Sequence, residues 1–281
     1  MNETIKIGYI NKLLINRQTD NGFYLCSKDL QEVLLPNSYI TNNMKIGDVL
    51  DVFVYTDSQD RAVAVTSLPK AKVGEFAYFE VVDLSSFGAF VDWGLPKDLF
   101  VPKSKQKIAF KKGMKTVLRV SLDEKTNRIF GDHKFAKYLS SNTKNLYKNQ
   151  EVELLVYKKG DLGYSAIVNN LYDSLLFYSD VFEEIKIGDK KRGFIKNIRS
   201  DGKIDLSLRL TGSSNLQNDT QKILDILKQN NNHINLTYKS SSQEIQDMFG
   251  LSKKAYKKAL TTLIDNKEIE LSEDCIKKVE L

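Results

Sequence analysis

Up to Leu210 the apolar positions alternate with polar ones at a period of two, and beyond it they recur at helical spacing. The alternating part repeats itself. Lys45-Ile46-Gly47-Asp48 returns as Lys186-Ile187-Gly188-Asp189, and Lys111-Lys112-Gly113-Met114 stands between them. Each opens a strand-like run: Val49–Tyr55, Thr116–Leu122 and Arg192–Ile198. Each run ends in a turn rich in Asp, Ser, Asn or Gly and enters another strand at Ala62–Val65, Ile129-Phe130 or Ile204–Leu206. Ahead of these, Val33-Leu34-Leu35-Pro36-Asn37-Ser38 parallels Leu99-Phe100-Val101-Pro102-Lys103-Ser104, with Leu175-Leu176-Phe177-Tyr178-Ser179-Asp180 as a looser third copy. Pro36 and Pro102 end their strands, because proline cannot continue a ladder. Three units of roughly 65–75 residues with about five short strands apiece predict small closed barrels.

The middle unit is the clearest. Phe79–Asp83 reads as a strand, Leu84-Ser85-Ser86 as a turn, and Phe87–Asp92 as the returning strand. Ideal alternation would put Phe87 and Phe90 on opposite faces, and a bulge at Gly88 would bring them onto one. Equivalent rings are thinner elsewhere. The first unit offers Tyr24 in Asn21-Gly22-Phe23-Tyr24-Leu25, and in the third Tyr164 is read in the place of Phe87 and Ile167 in that of Phe90. After Leu210, Thr211–Asn215 has the composition of a linker and Thr220–Gln229 the pattern of a helix. Ser241-Ser242-Gln243-Glu244 is a capping box for a second helix that stops at Gly250, and Ser252 caps a third over Lys253–Asn266. Glu268–Leu271 and Ile276–Val279 close the pattern as a hairpin, which completes a winged helix-turn-helix layout. The expected domains are residues 1–68, 69–139, 140–212 and 213–281.

Charge singles out the same middle unit. The formal net charge is +6 over 281 residues. By segment it is −2 for residues 1–68, +6 for 69–139, +2 for 140–212 and zero for 213–281. Lys103, Lys105, Lys107, Lys111, Lys112 and Lys115 fall within 13 residues and no acid interrupts them. Rings beside a positive surface are what a groove for a single nucleic-acid strand requires. The third helix carries a second cluster, Lys253, Lys254, Lys257 and Lys258, although acids at Glu268, Glu270, Glu273 and Asp274 in the hairpin would repel phosphates.

Other chemistries find little support. The two cysteines, Cys26 and Cys275, stand far apart, and the two histidines, His133 and His233, have no partner at metal-ligand spacing. No phosphate-cradling glycine loop is present, so neither a cofactor nor a metal is expected. No apolar run reaches the ~18 residues of a membrane span. The N-terminal residues lack the layout of a secretory signal, which points to the cytoplasm.

The middle unit resembles the S1 domain, an RNA-binding barrel of the OB-fold group. The matching residues are Phe87-Gly88-Ala89-Phe90-Val91, Leu99–Ser104, Lys112-Gly113 and Arg128-Ile129. Over nearly its full length the chain is similar to the conserved virulence factor B family of bacterial regulators. Val91–Pro102 and Phe249–Leu260 carry that match. The resemblance implies a mainly β protein with a C-terminal α/β part: three tandem S1/OB-type barrels and a winged helix, non-enzymatic and regulatory. It implies that Phe87 and Phe90 stack on bases of single-stranded RNA. A family Asp and Arg near the last turn map onto Asp57 and Arg61 in the first unit. In the middle unit the Arg is Arg128 and the acid Asp123 or Glu124, and in the third Lys203 stands for the Arg. A family histidine after the third strand is replaced by Pro36, Pro102 and Tyr178. Lys103, Lys105 and Lys107 complete the expected contacts. Two alternatives stand beside this reading: a DNA-binding transcription regulator acting through the third helix, and a scaffold in a ribosomal or RNA-degradation complex.

Overall fold

The structure is a computed structural model that describes residues 1–209 and 213–279. Three barrels of five strands each follow one another along the chain. The first comprises β1 (Ile10–Thr19), β2 (Gly22–Cys26), β3 (Glu32–Pro36), β4 (Val49–Thr56) and β5 (Ala62–Val65). The second comprises β6 (Phe76–Leu84), β7 (Gly88–Val91), β8 (Leu99–Pro102), β9 (Lys115–Asp123) and β10 (Arg128–Asp132). The third comprises β11 (Glu151–Lys159), β12 (Gly163–Val168), β13 (Tyr172–Phe177), β14 (Lys190–Ile198) and β15 (Ile204–Ser207). In each, the first strand pairs with both the second and the fourth, and the third strand pairs in parallel with the fifth. The first strand of every barrel bulges at the same place: Ile15–Arg17, Val81–Asp83 and Val156–Lys158. A bulge adds bend and twist, which a five-stranded sheet needs to close on itself.

The apolar residues of each alternation fill the barrel interiors, among them Leu13, Ile15 and Leu25 in the first, Val91, Val101 and Leu118 in the second, and Ala166, Val168 and Leu176 in the third. The barrels are not independent beads. Trp93 of the second, 2% exposed, packs edge-on against Phe53 and Tyr55 of the first, with ring centroids 5.6 and 6.3 Å away. Its indole N–H donates to the Ala71 carbonyl at 2.8 Å. The second and third barrels meet through Phe76, Val117 and Phe135 against Leu155 and Ile167, and the Phe76 amide donates to the Asn170 side chain.

The C-terminal part holds α1 (Ser213–Gln229), β16 (His233–Ile234), α2 (Ser242–Phe249), α3 (Lys253–Asp265), β17 (Ile269–Leu271) and β18 (Ile276–Lys278). Both bonds of the Ser241–Glu244 capping box form, and Gly250 ends α2 in the left-handed conformation. Two expectations need correction. Ser213–Asn215 belong to the backbone of α1 rather than to a linker, while Thr211 and Gly212 lie outside the described residues. The hairpin is also extended by β16, which pairs with β18 into a three-stranded sheet. Among the described residues no helix is long and apolar enough to cross a membrane, and no cluster of side chains could hold a metal ion.

Candidate nucleic-acid interface

The outward face of the middle barrel carries a row of three phenylalanines. Phe90 on β7 stands opposite Phe100 on β8, and Phe100 stands opposite Phe130 on β10. All three are half-buried, with Phe90 and Phe100 centroids 5.3 Å apart. Alternation explains the row, since Leu99, Val101 and Gly131 point inward and leave Phe100 and Phe130 on the outer surface. Gly88 makes the space. A Cβ there would lie 2.8 Å from atoms of the Phe100 ring and 2.3 Å from the Val101 carbonyl oxygen. Gly22 and Gly163 occupy the same register opposite Pro36 and Phe177, with comparably close carbonyls.

Phe87 is 79% exposed, but not by the expected route. The bulge lies in the partner strand β6, and Phe87 precedes β7 in a turn where its amide donates to the Ser85 hydroxyl. Its ring therefore extends into solvent at the end of the Phe90 strand. The lysines divide around these rings. Lys103 follows directly, its amide bonded to the Phe87 carbonyl. Lys105 lies 5.2 Å from the Phe130 centroid and 4.0 Å from the buried carboxylate of Asp132. Lys107 lies 4.8 Å from the Phe135 centroid, and its amide donates to His133 Nδ1. Burial lowers the His133 pKa, and Lys107 adds to that effect. Lys115 is paired with Glu80 at 3.0 Å. Lys103, Lys107, Lys111 and Lys112 have no ion-pair partner among the described residues, which leaves them available to phosphates.

Several expected contacts sit elsewhere. The register aligns Phe87 with Leu162 and Phe90 with Ser165, so Tyr164 corresponds to Ala89. Tyr164 is accordingly turned into the third barrel's core at 9% exposure, and Ile167 packs at the junction with the second barrel. By the same register Phe177, not Tyr178, corresponds to Pro102. Tyr24 corresponds to Phe90 and faces outward, but the Arg17 guanidinium covers its ring at 3.8 Å. Glu32 holds that guanidinium through both Nε and a terminal nitrogen, which lowers the pKa of the carboxyl. Arg61 is paired with Asp57 at 2.7 Å and Lys203 with Asp201 at 3.3 Å. Asp123 is the acid opposite Arg128, yet Arg128 reaches across to Asp60 of the first barrel at 2.5 Å. That bond holds the Asp60 carboxyl below its usual range. Lys97 closes the same seam by donating to the Thr56 and Asp57 carbonyls at 3.0 and 2.7 Å.

On α3, Lys254, Lys257 and Lys258 are exposed and Lys253 is half-buried, and none is in an ion pair among the described residues. Buried Tyr256, Ala259, Leu260 and Leu263 fix the opposite face of the helix against the domain core. The wing acids Glu270, Glu273 and Asp274 are exposed as well.

Comparison with known proteins agrees with this architecture. A family described as the S1 domain matches residues 7–67, and the CvfB-like winged helix domain matches residues 221–277. Conserved virulence factor B of Staphylococcus saprophyticus is 25% identical over 280 residues, covering 94% of this chain and 92% of that protein. The C-terminal domain is thus a CvfB-like winged helix, and the chain is similar to conserved virulence factor B along nearly its whole length. Another similar protein is YitL of Bacillus subtilis, described as uncharacterized, at 27% identity over 275 residues, 95% of this chain and 92% of that one. Among solved structures, a multidomain protein with nucleic acid binding domains from Streptococcus pneumoniae is 25% identical, covers 97% of this chain and 98% of its own, and has a TM-score of 0.42. The S1 match falls on the first barrel, not on the middle one that carries the Phe87–Val91 motif. The chain thus combines nucleic-acid-binding S1 and winged-helix domains, neither of them an enzymatic family.

Proposed function

We propose that this chain is a non-enzymatic regulator that holds single-stranded RNA across the middle barrel and acts on gene expression after transcription, in the cytoplasm. One observation carries the reading: the Phe90–Phe100–Phe130 row, with Phe87 at its end, Lys103 bonded to the Phe87 carbonyl and Lys105 against the Phe130 ring. Each base that stacks on such a ring gains on the order of 1–3 kcal/mol whatever its identity. Lysines that neutralise phosphates add affinity that falls as salt rises. The S1 likeness favours RNA over DNA.

The lysines on α3 support a second reading, in which that helix enters a DNA major groove. The acidic wing next to it opposes this. Binding of single-stranded RNA, single-stranded DNA and duplex DNA over a salt series separates the two. The RNA reading expects single-stranded RNA to bind tightest. Changing Lys103, Lys107, Lys111 and Lys112 to Gln should flatten the salt dependence by ~0.7 in log–log slope for each phosphate that is no longer neutralised. Duplex binding that depends on Lys254 and Lys257 but not on these lysines would sink it.

A further inference from the structure

A cavity of about 340 Å³ opens where the first two barrels meet. Known small-ligand sites run from ~300 to 1,000 Å³. Three aromatic rings line it, those of Trp93, Phe100 and Phe130. The last two are also members of the outward row, so the row and the cavity share Phe100 and Phe130. The polar part of the lining includes Tyr55, Lys97 and Asp98, together with Asp123 and the Asp60–Arg128 pair. Lys97 is committed to the first barrel through its two carbonyl bonds. Neither the Asp98 carboxylate nor the Tyr55 hydroxyl has a hydrogen-bond partner among the described residues.

Asp98 has no structural employment. It is half-buried, burial raises its pKa, and Asp92 and Asp83 raise it further. A carboxylate kept in such a place without a donor is unfavourable on its own. It becomes favourable when a ligand brings N–H groups to it between flat apolar walls. Nucleobases are such ligands, and they differ in what they offer a carboxylate. Guanine presents N1–H and N2–H side by side, which matches two acceptor oxygens. Adenine and cytosine present one amino group beside an acceptor nitrogen. Uracil flanks its single N–H with two carbonyl oxygens, which a carboxylate repels.

We propose that this inter-barrel cavity takes one base extruded from the strand on the middle barrel, and that Asp98 selects guanine there. The inference rests on the RNA-binding reading and adds a base preference to it. The two barrels form the site together, so the seam between them has a role in recognition.

The test uses the full chain and fluorescently labelled 12-nucleotide RNAs. One is all uridine, and the others carry a single central guanosine, adenosine or cytidine. The wild type should bind the guanosine strand roughly tenfold tighter than the uridine strand, a modest value for a bidentate base contact. Adenosine and cytidine should fall between. Asp98→Ala and the near-isosteric Asp98→Asn should both bring the guanosine-to-uridine ratio close to one. Trp93 is the sole tryptophan of the chain, so its emission should respond to the guanosine strand and not to the uridine strand. Equal binding of all four strands by the wild type overturns the proposal and leaves RNA binding intact. A guanosine preference that survives in both Asp98 variants also overturns it. Failure to bind any strand overturns this proposal and the RNA reading together.

Discussion

The first and middle barrels share a backbone and differ in what they show to solvent. Both have the same strand order, the same bulge, and a glycine at the same register where a neighbouring carbonyl comes close. Across the corresponding three strands the middle barrel presents Phe90, Phe100 and Phe130, and the first presents Tyr24, Leu34 and Val63. The single ring of the first barrel is already occupied by Arg17, which Glu32 clamps in place. At the position of Arg17 the middle barrel has Asp83, which leaves the Phe90 ring uncovered. The barrel supplies a scaffold, and a few outward positions decide whether it offers a stacking surface.

The phenylalanine row is where the two barrels should differ most. Replacing Phe90 and Phe100 together by Ala should weaken single-stranded RNA binding by on the order of 1–3 kcal/mol per stacked base, while Tyr24→Ala should change it by less than about twofold. Equal losses from the two barrels in a filter-binding titration would show that the covered ring is no less available than the open row. A smaller effect is expected from uncovering that ring. Glu32→Ala frees Arg17, and RNA affinity should rise by less than one stacked base supplies. A fall in affinity would mean that the clamped arginine is itself a contact.

The smallest effect concerns the seam. Arg128 holds the Asp60 carboxyl below its ordinary range, so the folded state binds that proton less readily than the unfolded chain. The pair's contribution is therefore present above the ordinary carboxylate value and is lost as pH falls through the lowered one. In thermal melts the wild type should exceed Asp60→Asn slightly at neutral pH and lose that margin below about pH 4. Added salt at neutral pH should erode the same margin, because both side chains are well exposed. A margin indifferent to both would show that the pair does not stabilise the junction.

Much of the fold was legible because its signals are local. Repeated Lys-Ile-Gly-Asp turns, alternating strands, prolines at strand ends and the Ser241 capping box each report on their immediate neighbours. The candidate site was only half legible. Phe87 and Phe90 stand in a recognisable strand-and-turn motif, but Phe100 lies between Leu99 and Val101 and reads as core. Its outward position follows from register, and its neighbour Phe130 comes from a parallel pairing between strands distant in sequence. The same dependence on register explains the one-residue error that placed Tyr164 at Phe87's position. A slip of one residue exchanges the inside and outside of a strand, and β12 has no second aromatic beside Tyr164 to fix the alignment. The partners of Arg128 and Lys97 were hidden for another reason, since both lie on a different barrel.

Trp93 changes how the molecule should come apart. Its indole packs against Phe53 and Tyr55 of one barrel while hanging from the Ala71 carbonyl on the linking segment, so the middle barrel's hydrophobic core extends into the first barrel through Phe53, Tyr55 and Val65. A cut between residues 68 and 69 would follow the chain but would split that core and leave a tryptophan surface open to water. The first two barrels should accordingly melt as one cooperative unit, and hydrogen exchange should report the same opening free energy on both sides of the seam.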